Sequence, residues 1–202
     1  MVPGGISAEV DDPLLVQQLV EGHPQAARAM WQRFAPMVHR ILKRSLGPDE
    51  DVEDLAQDVF ICLFQKAGKL REPKALKAFV IAITALTVRA ELRRRWNRRW
   101  VSLQPAGAVP KKLAFHPDLE SREALRRFYL ILDKVNAQDR TAFVLRFMEG
   151  LELEEVAAAL DISVATAKRR LTRVWNRVVL LAERDTALVE YLSGIERDGA
   201  CA

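Results

Sequence analysis

Thr166, Lys168, Arg169, Arg170, Thr172 and Arg173 fall within one short stretch of the chain. Arginine offers a planar fork of N–H donors, lysine a point charge and threonine a hydroxyl. A surface built from these groups suits phosphates and base edges rather than apolar ligands. At about 100° per residue, Thr166, Arg169, Thr172, Arg173 and Asn176 gather on one side of a helix and Lys168, Arg170 and Arg177 on its flanks. Val164, Ala167, Leu171, Val174 and Val178 fill the opposite side. A basic helix face alone is often only a solvated surface, so the elements before it decide its meaning. Ser163 is an N-cap, because its hydroxyl can accept from an orphan N–H of the first turn, and Ile162 before it turns inward. Asp161 and Ile162 form a turn. Val156, Ala157 and Leu160 give the preceding helix one buried face, with Ala157 small where a second helix approaches closely. The unit reads as a helix-turn-helix whose second helix is the basic one, the helix such motifs place in the major groove.

Upstream of this unit the pattern stays helical. Asn136-Ala-Gln-Asp139 has the form of a capping box, Phe143, Val144 and Phe147 follow at helical spacing, and Gly150 supplies a stop. Ser121 is placed to cap a helix with Leu125, Phe128, Tyr129, Leu132 and Val135 as its core stripe. At the other end, Asp12-Pro13 opens a helix through Val20 that ends near Gly22, and Pro24 begins the next. Between Ala26 and Leu46 the apolar positions Ala27, Met30, Trp31, Phe34, Val38, Ile41, Leu42 and Leu46 keep helical spacing, and Gly47-Pro48 ends the run. Trp31 and Phe34 are core candidates. His39 lies beside that stripe with no partner evident, which favours a structural or exposed role over a catalytic one.

A helix from Asp49 to Ala67 begins with Asp49, Glu50, Asp51, Glu53 and Asp54, charges that complement the positive end of the helix dipole. The dipole does not explain why Asp54, Gln57, Asp58 and Ile61 continue along one stripe while Leu55, Val59, Cys62 and Leu63 form another. Two usable faces imply two partners, one of them the helix's own domain. A long helix from Pro73 to Arg99 holds Leu76, Phe79, Val80, Ile83, Leu86 and Ala90 inside and ends in Arg93-Arg-Arg-Trp-Asn-Arg-Arg-Trp100. Arg93, Arg94, Arg95, Arg98 and Arg99 can neutralise phosphates, and Trp96 or Trp100 offers a stacking surface of the kind that holds single-stranded DNA.

The chain has 202 residues, 50% of them hydrophobic, enough for helical cores in one or two small domains. Its net charge of +4 is unevenly spread. Residues 1–70 carry 7 basic and 10 acidic side chains, residues 71–120 carry 11 and 4, residues 121–182 carry 11 and 8, and the tail carries 2 and 5. A positive middle beside an acidic start suits one surface for DNA and another for a protein. Cys62 and Cys201 read as free thiols, and no Cys/His spacing suits zinc. No secretory leader or apolar run of transmembrane length is evident, which points to a cytoplasmic protein without membrane insertion. No P-loop, nucleophile elbow or His/carboxylate metal motif is evident either, so an enzyme, a cofactor and a metal are not expected.

The run Val135-Asn-Ala-Gln-Asp-Arg-Thr-Ala-Phe-Val-Leu-Arg-Phe-Met-Glu-Gly, continued through Leu160, resembles region 4 of bacterial RNA polymerase sigma factors, most closely the extracytoplasmic-function (ECF) group of the sigma-70 family. Asp51-Val-Glu-Asp-Leu-Ala-Gln-Asp-Val-Phe-Ile-Cys-Leu-Phe resembles the polymerase-binding segment of region 2. The two matches come in the family's order and cover roughly residues 12 to 178. The resemblance implies an all-α chain of two small helical domains joined by a flexible linker. Its divisions are a disordered N-terminus over 1–11, region 2 over 12–100, a linker over 101–121, region 4 over 122–182 and an acidic tail over 183–202.

It implies a transcription initiation factor that binds core RNA polymerase and directs it to promoters through −35 and −10 elements, helping to melt the DNA. Asp54, Gln57, Asp58 and Ile61 would dock on the clamp helices of the largest subunits, and region 4 would meet the flap. Lys74, Lys77 and Arg89, with the arginines of 93–99, would meet the −10 element, and the 166–173 cluster the −35 element. An anti-sigma factor is the further partner implied. The −10 helix departs from the family: Phe79 stands where Trp is common, and Ala82, Ala85 and Leu86 stand where Arg and Asn are common. In the recognition helix Ala165 replaces a frequent Gly and Arg169 a frequent Ser. The rival reading is a helix-turn-helix regulator that binds an operator and uses residues 12–100 to dimerise or sense a ligand.

Overall fold

A computed structural model describes residues 12–48, 50–70, 72, 75–101 and 119–189, and these form helices with no strand among them. In chain order the α-helices are α1 (Asp12–Val20), α2 (Pro24–Leu46), α3 (Glu53–Lys66), α4 (Leu76–Val101), α5 (Leu119–Leu132), α6 (Ala137–Phe143), α7 (Leu153–Leu160) and α8 (Val164–Glu183). A 3₁₀ turn, Ala67–Lys69, follows α3, and five residues of π-helix, Val144–Met148, prolong α6. The expected N-terminus over 1–11 and most of the linker and tail lie outside the described residues.

Helix α2 carries the main stripe of the first half. Pro24 occupies its first turn, where a missing N–H costs nothing. Met30, Phe34, Val38, Ile41 and Leu42 are buried, and the Trp31 ring lies 4.5 Å from that of Phe60 on α3. Gly47, at φ 132°, ends α2, and its N–H donates to the Lys43 carbonyl at 2.9 Å. Helix α3 starts at Glu53 rather than Asp49: Asp51 precedes it and accepts from the Glu53 N–H at 3.1 Å. His39 has partners that the sequence does not suggest. One ring nitrogen lies 2.7 Å from the Ala35 carbonyl and the other 2.9 Å from a Glu53 oxygen, so the ring ties α2 to the first turn of α3.

The expected start and stripe of α5 need correction. The helix begins at Leu119, so Ser121 lies within it rather than capping it. Leu125 is 43% exposed, and the inward side chains are Ala124, Ile131, Leu132 and Val135, with Phe128 packed against them. Ala124 and Ile131 lie seven residues apart, two helical turns, and share one face; Leu125 and the buried Leu132 share the next in the same way, so covering rather than period leaves Leu125 outside. Val164 and Leu86, expected to point inward, are 42% and 48% exposed, and Phe147 is 43% exposed.

The two helical halves also pack on one another, which the sequence does not suggest. One buried cluster runs from Leu15, Phe34, Val59 and Val80 through Ile81, Ala85 and Val88 to Ala142, Leu145, Val156 and Leu160, while a second, with Ile131, Leu132, Phe143, Val174 and Val178, belongs to the second half alone. Helix α4 packs against α2 and α3 and also against α6 and α7. Turned at about 100° per residue, Leu76, Val80, Ile83 and Glu91 occupy one arc of α4, and Ile81, Ala85, Val88 and Leu92 a second. All of these are buried except Leu92, which is partly so.

Polar contacts close the rim of this seam. Glu149, with its side chain 2% exposed, accepts from Arg40 Nε at 2.9 Å and Arg44 Nη1 at 3.0 Å. Arg44 also donates to the Met148 carbonyl. Arg140, 2% exposed, donates to the Ser45 carbonyl at 2.7 Å and pairs with Asp133. Burial pushes the Arg140 pKa down, and Asp133 opposes that shift.

Candidate nucleic-acid interface

The turn before α8 is built as its sequence requires. Asp161, at φ 55°, is the left-handed residue that ends α7, a conformation an Asp side chain tolerates better than most. Ile162 packs on the core, and Ser163 Oγ accepts from the Thr166 N–H at 3.2 Å, capping α8. Ala157 is buried on α7, which packs against α8. Ala167, Leu171, Val174 and Val178 form the buried back of α8. Lys168, Arg169, Thr172, Arg173, Asn176 and Arg177 are exposed on the remaining faces, while Thr166 and Arg170 are half-buried. The sequence-predicted cluster is therefore brought together on one capped helix.

Two of these cations are held from outside the helix pair. Arg173 Nη2 donates to both oxygens of Asp139 at 2.8 and 2.9 Å, and its Nε lies 3.2 Å away. The same contact raises the Arg173 pKa. Arg170 Nη1 donates to Gln138 Oε1 at 2.7 Å, and its Nε lies 3.7 Å from Asp139. In the sequence Asp139 and Gln138 belong only to a capping box, and the Asn136 cap on the Asp139 N–H is present at 2.9 Å. Their second role is tertiary: they lie more than thirty residues from their arginine partners, and no local pattern announces it.

The cations expected on α4 divide three ways. Lys77, Arg93, Arg94 and Arg98 are exposed. Arg89 is half-buried beneath α7, its Nη1 3.5 Å from the Leu160 carbonyl, and burial together with Arg93 and Arg170 lowers its pKa. Arg95 is held by Glu91 at 2.9 Å and Glu50 at 2.8 Å. Glu91 also takes Arg98 at 3.0 Å, so one nearly buried carboxylate anchors the basic end of the helix. Trp96 is 49% exposed. Lys74 and the side chains of Arg99 and Trp100 lie outside the described residues.

On α3 the polar stripe is intact as a surface. Asp54, Gln57, Asp58 and Ile61 are all exposed, Ile61 by 53%, while Ala56, Val59, Phe60 and Leu63 are buried behind them. Phe64, 37% exposed, extends the apolar part of that surface. Among the described residues no group of His, Cys, Asp and Glu could hold a metal ion, and no helix is long and apolar enough to cross a membrane. Cys62 is a half-buried free thiol.

Residues 30–98 match the family Sigma-70 region 2, and residues 125–175 match Sigma-70, region 4. The chain is 25% identical over 177 residues to the ECF RNA polymerase sigma-E factor of Escherichia coli strain K12, spanning 83% of this chain and 92% of that protein. To the RNA polymerase sigma factor CarQ of Myxococcus xanthus it is 27% identical over 164 residues, 81% of this chain and 92% of that one. Among solved structures, the sigma factor RpoE of Bartonella quintana in complex with the anti-sigma factor NepR aligns with a TM-score of 0.56 at 25% identity, covering 78% of this chain and 97% of that one. CnrH in complex with the cytosolic domain of CnrY shares the fold, with a TM-score of 0.60 at 21% identity over 87% of this chain and 99% of that one.

Proposed function

Since this chain belongs to the extracytoplasmic-function group of the sigma-70 family, transcription initiation factors rather than enzymes, we propose that its halves divide promoter recognition. Residues 122–182 read the −35 element and residues 12–100 bind core polymerase and meet the −10 element, with the segment between as linker. Within the first part, Asp54, Gln57, Asp58 and Ile61 dock on core. Within the second, Thr166, Lys168, Arg169, Arg170, Thr172 and Arg173 enter the major groove. Lys74, Lys77, Arg89, Arg93, Arg94, Arg95, Arg98 and Arg99 grip the DNA around −10 and assist melting. An anti-sigma factor is a further partner, by analogy with the NepR complex of the B. quintana relative.

The observation that supports this reading best is the capped helix α8, with its apolar back buried and its Arg, Lys, Thr and Asn face open to solvent. The −10 side is less suited to reading bases. Ala82, Ala85 and Leu86 present no polar group where relatives commonly do, so the grip there rests on sequence-independent charge. Promoter choice is therefore expected to lean on the −35 element more than on the −10 element, and open complexes to be salt-sensitive.

Reconstituted transcription with core polymerase on a genomic library tests the reading and yields the promoter sequence. In the same assay Asp54→Ala with Gln57→Ala is expected to weaken core binding at least tenfold, about 1.4 kcal/mol, without loss of helicity. Wild-type affinity in that double variant would remove Asp54 and Gln57 from the docking surface, and binding to symmetric operator half-sites without core would favour a regulator that does not act as a sigma subunit.

A further inference from the structure

Asp139 sits where a carboxylate is expensive. It is 4% exposed, and it borders the helix face assigned here to the polyanionic DNA backbone. Its own hydrogen-bonding reveals what it does there. The Asn136 side chain donates to it at 2.8 Å and fixes its rotamer from the first turn of α6. Its free edge then crosses to α8 and takes the Nε/Nη2 edge of Arg173, leaving Nη1 with no hydrogen bond among the described residues. The acid is buried, but the arginine it holds has a side chain 66% exposed. Gln138, one residue earlier, treats Arg170 in the same way. The first turn of α6, a helix outside the helix-turn-helix proper, thus sets the directions of two arginines on α8.

For stability alone this is a poor arrangement, because an ion pair with one exposed partner contributes little while burying a carboxylate is costly. For DNA affinity alone it is also unfavourable, since the carboxylate cancels a positive charge that would otherwise displace counterions. It is favourable for selectivity. A long side chain held before binding loses less rotamer freedom when it meets its target, and a guanidinium with one edge fixed offers the other in a single orientation.

We propose that Asp139 is a positioning residue for promoter recognition: it holds Arg173, with Gln138 holding Arg170, so that α8 gives up non-specific charge attraction in return for geometric discrimination at the −35 element. This rests on the assignment of α8 to the −35 element. The acid touches no DNA itself and acts through Arg173.

The test uses the full chain assembled with core polymerase, on promoter duplexes carrying the selected −35 sequence or a scrambled one, across a salt series. Asp139→Asn keeps the size of the side chain and the backbone N–H that Asn136 caps, but removes the charge. Binding to the scrambled duplex is expected to tighten, with the slope of log K against log salt steeper by about one. The preference for the true −35 sequence is expected to fall about tenfold. Asp139→Glu should restore the slope. In an Arg173→Ala background Asp139→Asn should no longer lower the preference, and should change the salt slope less, through Arg170 alone, whose Nε lies 3.7 Å from the acid.

If Asp139→Asn does not fold, Arg173→Lys carries the test, since it keeps the charge but loses the two-point fork. It should lower the preference while leaving the salt slope alone. Equal effects of Asp139→Asn on both duplexes, or none, would overturn the proposal and leave Asp139 as a cap of α6. A wild-type holoenzyme that does not distinguish the two duplexes would instead remove the −35 assignment itself, and the proposal with it.

Discussion

Helices α4 and α8 both end or run in arginines, both are assigned to promoter DNA, and they meet solvent differently. Helix α8 buries one face, Ala167, Leu171, Val174 and Val178, and leaves its cations outside. Helix α4 buries two arcs, the second of them, Ile81, Ala85 and Val88, in the cluster that also contains Val156, Ala159 and Leu160 of α7. Ala85, which the family resemblance reads as standing in place of Arg or Asn, is 0% exposed. The sequence presents that alanine as a base-reading group lost. In the folded chain it serves packing instead, because a methyl group lets two helices approach where a guanidinium would hold them apart. In this docked arrangement the face of α4 around Ala85 is closed to DNA, whereas the outer face of α8 is open.

The variant that breaks this contrast most strongly is Ala85→Arg. A charge forced into the seam without a partner costs about 3–5 kcal/mol, and the chain can avoid that cost by separating α7 from α4. We expect a longer distance between spin labels on α2 and α8 and faster hydrogen exchange in α7, with α2 and α3 still folded. An unchanged distance with a melted first half would mean that Ala85 belongs to the core of that half and not to the seam.

Glu149→Ala acts on the rim of the same seam. Its carboxylate is enclosed, but Arg40 and Arg44 are half-exposed and can return to water, so the expected loss is about 1–2 kcal/mol. The same label pair should report a partial shift toward the open distance relative to the parent chain, largest at low salt, where the lost pairs are least screened. No shift would mean that the apolar cluster alone holds the halves together.

How far these features can be read from sequence follows from where their partners lie in the chain. Ser163, Asp161, Leu171 and Val174 are legible because a cap, a turn and a helical stripe are all local patterns. The α3 stripes are legible for the same reason. Periodicity shows that a helix has an apolar face, but it does not separate a solvated second face from one covered by a distant helix, so it does not reveal the burial of Ile81 and Val88 by the second half. It also fails where two positions share a face and only one of them is covered, as with Leu125 and Leu132 on α5. His39 with Glu53, Arg140 with the Ser45 carbonyl and Arg173 with Asp139 are pairs made by folding. The nearest thing to a signal is Arg140 itself, a charge beside the apolar run of Ala142 to Leu145, which asks for a buried partner without naming it.

Arg169→Ala sharpens the α8 side of the contrast. Arg169 is exposed, and it reaches Thr166 Oγ1 only at 3.4 Å, so its removal should leave the inter-helix label distance unchanged. If it reads a guanine edge, preference at one base pair of the −35 element should fall about tenfold, about 1.4 kcal/mol. If it meets only phosphate, all sequences should weaken alike and the salt slope should become shallower. Unchanged selection and unchanged salt dependence would remove Arg169 from the interface.

The smallest effect is expected at Glu91, where the two helices turn out to share a device. As Asp139 holds an arginine of α8, Glu91 holds Arg95 and Arg98 at the basic end of α4, but from within the same helix. Burial raises the pKa of its carboxyl, yet the two guanidinium groups outweigh burial and hold it below its ordinary value. A carboxyl with a depressed folded-state pKa adds stability above its unfolded pKa and loses that contribution as the pH falls through the folded one. Glu91→Gln should therefore lower stability at neutral pH by about 1 kcal/mol or less and flatten the acid side of the stability profile in urea titrations. It also releases Arg98, while Arg95 keeps Glu50, so open complexes should gain affinity and salt dependence while the chain loses stability. Effects of the same sign would show that Glu91 supports the helix end only. Opposite signs would show that each DNA-facing helix restrains its arginines with a nearly buried acid, and that on α4, where few base-reading groups remain, the restraint acts on the backbone grip alone.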